Sequence, residues 1–199
     1  MTWGPVPQRA QEIASALGGR ACAIRPRRLG AAGLVPLRWL VSAVLTTVHL
    51  LRHRPAAVVV TNPPIALALT VYVLRPLLGA RVVLDSHPGG FGVQGDRVAA
   101  RVQWLHRHLA RRARAVLVAS EPWARTVRAW GGCPLVLHEA EPAWRLPPAA
   151  PLGDRARVLL VAVFGGDEPV ASAVEAACGM RLDLRVTGDL RRAPRGLLG

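Results

Sequence analysis

The chain has 199 residues, half of them apolar, and a formal net charge of +14. That length allows one large domain or one and a half, with enough apolar residues for a sizeable core. The three cysteines, Cys22, Cys133 and Cys178, are scattered and odd in number, which speaks against a disulfide framework and against a zinc site. Every basic residue is arginine. Together with much Ala, Gly and Pro, this points to a compositional bias and weakens the reading of any single arginine as chosen for a contact.

The charge is uneven. Residues 1–138 hold 18 arginines and 4 acids, whereas residues 139–199 hold 8 of each. A basic first part joined to a neutral second part reads as two units with different partners. Anionic lipid, a phosphorylated substrate and nucleic acid are the candidate partners of the basic part.

In chain order, the start has no apolar segment of the signal-peptide kind, and a reducing cytoplasm is expected. A strand stub at Thr2-Trp3 precedes a helix over Gln8–Leu17, which Gly18-Gly19 ends. Residues 21–25 read as a second strand. Leu34–Leu51 is the most hydrophobic long segment, but Pro36, Arg38 and His49 interrupt it. A membrane span needs about twenty apolar residues. The segment is therefore read as a core helix or as a helix on an anionic bilayer surface, where its arginine flanks would fit.

Val58–Val60 and Val82–Leu84 are short β-branched runs without alternation, as in a parallel sheet covered on both faces. About twenty residues of helical pattern lie between them, opened by Pro63-Pro64, since proline suits a first helical turn. The result is a right-handed βαβ unit. Its strand ends carry Asn62 and Asp85-Ser86-His87. In a doubly wound sheet, ligands bind beyond the carboxyl ends of the strands. Asn62, Asp85 and His87 are therefore the first candidates, with Gly89 and Gly90 leaving room for close approach.

A helix over Asp96–Arg112, capped by Asp96, follows. Then come a strand at Ala115–Ala119, a helix opened by Ser120-Glu121-Pro122 and closed by Gly131-Gly132, and a strand at Leu135–Leu137. Glu121 sits at a strand end beside Asn62 and Asp85 in this reading. Residues 139–156 are proline-rich and read as a linker. Beyond them stand a strand from Val158 to Phe164, a helix from Glu168 to Cys178 and a strand over Leu182–Thr187, with Asp167 and Glu168 after the first of these strands. One βαβ unit cannot bury both faces of its sheet, so the second domain is expected to be incomplete.

Other motifs exclude more than they assign. Gly90–Gly95 matches G-x-G-x-x-G, but four residues separate it from Asp85 and it does not follow the first strand, as a dinucleotide fingerprint would require. A loop of this kind aimed at a helix start could still hold a phosphate or sugar. His49 and His53 lack a third ligand, so no metal is expected. Without lysine there is no P-loop, and no G-x-S-x-G elbow is present. His106 and His108 fall on different faces of their helix. The arginines around them lack interleaved aromatics, so no nucleic acid is expected.

The segments Arg54–Phe91 and Trp104–Pro142, with Asn62-Pro63-Pro64, Asp85-Ser86-His87-Pro88-Gly89-Gly90 and Ser120-Glu121-Pro122, resemble the N-terminal half of bacterial family 4-type glycosyltransferases of the GT-B fold. Val158–Ala177 and Leu184–Asp189 resemble the opening of their C-terminal domain. The resemblance implies an α/β architecture: a doubly wound, Rossmann-like parallel sheet followed by an incomplete second βαβ unit. The domains would be 1–138 on the acceptor side, 139–156 as linker and 157–199 as the truncated start of a donor-binding domain. The implied function is transfer of a sugar from a nucleotide-sugar donor, a co-substrate, to a hydroxyl acceptor that can be lipid-linked. No cofactor or metal is implied.

The implied location is the cytoplasmic face of the plasma membrane, held peripherally on anionic lipid. His87 and Asp85 would be catalytic. Asn62, Gly89, Gly90 and Glu121 would bind substrate, with Asp167 and Glu168 facing them from the second unit. In that family, further βα units carry a pair of glutamates for the donor. The alternative is therefore a non-catalytic glycosyltransferase-like domain that binds membrane, acceptor or a partner subunit.

Overall fold

A computed structural model describes residues 1–26, 34–91, 97–138, 156–162, 164, 169–188 and 193, with the backbone alone for 97–100. The chain divides into two compact units, 1–141 and 142–199. The first contains α1 (Gln8–Ala16), α2 (Val35–His53), β1 (Ala57–Asn62), α3 (Ile65–Leu78), β2 (Arg81–Ser86), α4 (Arg97–Ala110), β3 (Ala115–Val118), α5 (Glu121–Ala129) and β4 (Pro134–Val136). The second contains β5 (Ala156–Val161), α6 (Val170–Cys178) and β6 (Leu182–Thr187).

Strands β1 to β4 form a parallel sheet in that order. The β-branched runs dictate this. Val58, Val60, Val82, Leu84, Val116 and Val118 alternate along their strands and point to one face, where they form the core with α2, α3, α4 and α5. The opposite set, Val59, Thr61, Val83 and Asp85, faces α1. Arg9 of α1 binds Asp85 from that side. Helices therefore lie on both faces, and the doubly wound expectation holds.

The stub at the start joins the sheet next to β1: Thr61 N–H donates to the Met1 carbonyl at 3.1 Å. On its other side Thr2 N–H donates to Cys22 and Ile24 N–H to Thr2, both at 2.9 Å. The second strand expected at 21–25 is reduced to a single bridge between Thr2 and Ala23. The order across these segments places a switch of direction between the stub and β1, and the ligand crevice of an open sheet opens at such a point.

Two expected helix starts differ in detail. Pro63 and Pro64 stand just before α3, with Pro64 as its extended N-cap rather than in the first turn. Ser120 is the N-cap of α5, but its side chain makes no capping hydrogen bond. The Asp96 cap and most of the Gly90–Gly95 motif lie outside the described residues, as does nearly all of the 139–156 linker. In the second unit β5 and β6 pair in parallel around α6, and Leu159 and Val161 are exposed, as expected of a lone βαβ unit.

Helix α2 is turned inside out. Ser42, Thr46 and Leu50 face the core, and Thr46 accepts a hydrogen bond from the buried Trp3 indole at 2.9 Å. Leu37, Leu40, Val44, Leu45, Val48 and Leu51 point outward. Leu67 of α3 is fully buried, whereas Leu40 is 62% exposed. Leu67→Ala is expected to cost about 2–5 kcal/mol and Leu40→Ala less than about 0.5 kcal/mol. Chemical denaturation of both variants checks this, and equal losses would contradict the orientation of α2.

Candidate functional site

The carboxyl ends of β1 and β2 are adjacent, with Thr61 opposite Asp85 and Asn62 opposite Ser86. Strand alternation sends the side chains of Asn62 and Asp85 to opposite faces. The sequence reading placed them in one wall; the structure divides that wall in two and joins the halves through the turn at His87.

On the α1 face, Asp85 is 2% exposed. Arg9 Nε donates to its Oδ1 at 3.0 Å, and Arg9 Nη1 donates to the Leu137 carbonyl beyond β4 at 2.8 Å. His87 Nε2 stands 3.4 Å from the other carboxylate oxygen. Burial by itself would raise the Asp85 pKa. His87 and Arg9 outweigh it and hold the carboxyl below its ordinary value. The carboxylate is thus charged at neutral pH, bridged by one buried cation and one imidazole that is a third exposed.

On the other face, Asn62 is 1% exposed. Neither side-chain amide atom has a hydrogen-bond partner among the described residues. Its carbonyl accepts from His87 N–H at 2.9 Å. Above it lies a 3₁₀ turn, Pro88–Phe91. A Cβ on Gly90 would stand 2.8 Å from Asn62 Nδ2, closer than any side chain tolerates, so only glycine lets the turn lie this low. Gly89 has more room.

The turn is pinned from behind by His106, which is fully buried. Its Nδ1–H donates to the Gly90 carbonyl at 2.8 Å, and the Ser86 hydroxyl donates to Nε2 at 2.9 Å. Both bonds suit the neutral imidazole. Phe91 stacks on Trp123 and Trp130, with centroids 4.5 and 5.4 Å away, and meets the His106 ring edge at 4.9 Å. Burial pushes the His106 pKa down, partly offset by the bond to Gly90.

Glu121 begins α5, is exposed, and its carboxylate is taken by Arg128. Among the described residues no hydrogen bond or ion pair joins it directly to Asp85. Asp167 and Glu168 lie outside the described residues. No group of His, Cys, Asp and Glu suited to a metal occurs among the described residues. A cavity of about 750 Å³ lies between α1 and β1; it reaches Asp85 and Thr61 at one end and His49 and His53 at the other. It meets the His87 site only at Asp85.

Sequence reasoning missed Arg9 and His106. Arg9 carries no local signal, because its partner is 76 residues away. The faces of His106 and His108 do differ: His108 lies outside the core against Trp104.

A family model for the glycosyl transferase 4-like domain matches residues 2–144. The match spans the whole first unit, and the chain belongs to this family. No curated protein matches the chain. The first unit is therefore a glycosyltransferase-type domain, and its general chemistry is glycosyl transfer.

The neutral His106 fixes a pH dependence. The unfolded chain takes up a proton near pH 6.5 that folded His106 refuses, so stability falls as pH drops below about 6.5. His49, lowered by burial and by His53, adds to the same window. Asp85 contributes stability that is lost only below about pH 4. His106→Asn should melt lower at pH 7.5 and show a flatter melting curve between pH 7.5 and 5.5. An unchanged slope in thermal melts would contradict this account.

Proposed function

We propose that the first unit is the acceptor-side half of an enzyme that moves a sugar from a nucleotide-sugar donor to a hydroxyl acceptor, a lipid-linked one at the cytoplasmic membrane face. The observation that carries this is the Asp85–His87 pair at the carboxyl end of β2, held by Arg9 and followed by the Pro88–Phe91 turn. The charged Asp85, 3.4 Å from Nε2, fixes the imidazole's orientation. His87 then donates to a donor oxygen, on the sugar or the diphosphate, as negative charge builds on the leaving group. The acceptor oxygen bonds to the anomeric carbon, the bond from that carbon to the diphosphate breaks, and the hydroxyl proton leaves with the nucleotide or to solvent.

Asn62, Gly89 and Gly90, in and under the turn after His87, are the substrate-binding candidates on the other sheet face, and Glu121 stands at the next strand end. Residues 157–199 begin the donor side, and Asp167 and Glu168 are its sugar-binding candidates. The reaction as read here uses no metal and no cofactor beyond the nucleotide sugar. In the alternative reading the chain binds acceptor or a partner subunit without transfer.

His87→Ala should abolish transfer of radiolabelled sugar to membrane-extracted acceptors while leaving the melting temperature nearly unchanged, because the side chain is partly exposed. Asp85→Asn should lose activity and also stability, by roughly 3–5 kcal/mol, since Arg9 is left as a buried unpaired cation. Transfer at the parental rate by His87→Ala would overturn the site. Absence of transfer in the parental protein, with acceptor still raising its melting temperature, would favour the binding role.

A further inference from the structure

Helix α2 buries hydroxyls and exposes hydrocarbon. Leu37, Leu40, Val44, Val48 and Leu51 recur at spacings of three and four and form one outward stripe. All are at least 40% exposed. Helix α3, packed beside α2, adds Leu69, Val73 and Leu77 at spacings of four. Beyond α3, α4 adds the exposed Trp104. Stripes on neighbouring helices form a surface well beyond the scattered apolar residues that soluble proteins normally expose.

The charge on these three helices has one sign. Helices α2, α3 and α4 contain no aspartate or glutamate. Arg38 and Arg52 flank the α2 stripe, and Arg54 follows it. Arg75 lies over the Tyr72 ring of α3, and Arg101 and Arg107 are exposed on α4. A second copy of this chain seated here would bring two cationic layers together at high electrostatic cost. A surface of anionic headgroups over acyl chains answers both features at once. None of the described helices is long and apolar enough to cross a membrane.

We infer that the outward faces of α2 and α3 dock the protein on a bilayer rich in anionic lipid, with the leucine and valine stripe entering the acyl boundary and the arginines meeting the phosphates. This deepens the proposed function, on which the acceptor half works at a membrane, but it needs no sugar transfer to be true.

Vesicle flotation of the whole chain, without donor or acceptor, tests it. The parental protein should float with phosphatidylglycerol-containing vesicles, weakly with pure phosphatidylcholine, and less as salt rises. The double variant Val44→Gln, Val48→Gln should lose binding by about tenfold or more, because several apolar groups no longer enter the bilayer. Its melting temperature should be unchanged, since both sites face outward. Arg38→Gln with Arg52→Gln should reduce the preference for anionic vesicles. His87→Ala should float like the parent, so loss of transfer with intact flotation condemns the site assignment and not this surface. Flotation of the double valine variant at the parental level would overturn the inference. So would light scattering that shows a parental dimer which the variant splits.

Discussion

A carboxylate cannot stay charged at the end of a central strand unless cations reach it, because the cost of taking it out of water is several kcal/mol. Asp85 occupies such a position, and the first unit is arranged to meet that cost. Arg9 arrives from α1 on the face away from the main core and ties the Asp85 carboxylate to the Leu137 carbonyl beyond β4. One guanidinium thereby links α1, β2 and the chain after β4. His87 meets the remaining oxygen, so the same charge that organises the fold also orients the one partly exposed imidazole of the site.

The turn that follows is held by a different force. Phe91 is sandwiched among Trp123, Trp130 and His106, and His106 reaches both Ser86 and Gly90. Aromatic packing sets the position of the turn, and the two hydrogen bonds set its rotation. Gly90 can then lie on Asn62 as no other residue could. The electrostatic clamp on one face and the aromatic clamp on the other meet at residues 85–91.

Much of the architecture was legible because it is local. Unalternating valine runs, Pro63-Pro64 and the glycines after α1, α3 and α5 mark strands, helix starts and helix ends within a few residues of themselves. The positions of Asn62, Asp85 and His87 at and just after the ends of β1 and β2 were legible because each closes a β-branched run. Arg9 and His106 were not. Each sits in a polar helical stretch that reads as solvated, and each is buried only because a partner distant in the sequence closes over it. The alternation that separates Asn62 from Asp85 was available in principle from the strand period, but only once the exact end of each strand was known.

Helix α2 shows where periodicity misleads. Its pattern gives an apolar face and a hydroxyl-bearing face, and the rule that apolar residues turn inward selects the wrong one. The Trp3 indole decides otherwise. Buried against the sheet edge, its N–H requires an acceptor, and Thr46 provides it from the core side of α2. Rotating the helix to hide its leucines would strand that donor and bring Thr46 to water. The hydrocarbon then left outside forgoes roughly 1.5–3 kcal/mol per large side chain relative to burial. A chain that accepts this along several turns, with no acid in α2, α3 or α4 and arginines at the flanks, has a surface suited to a medium other than water.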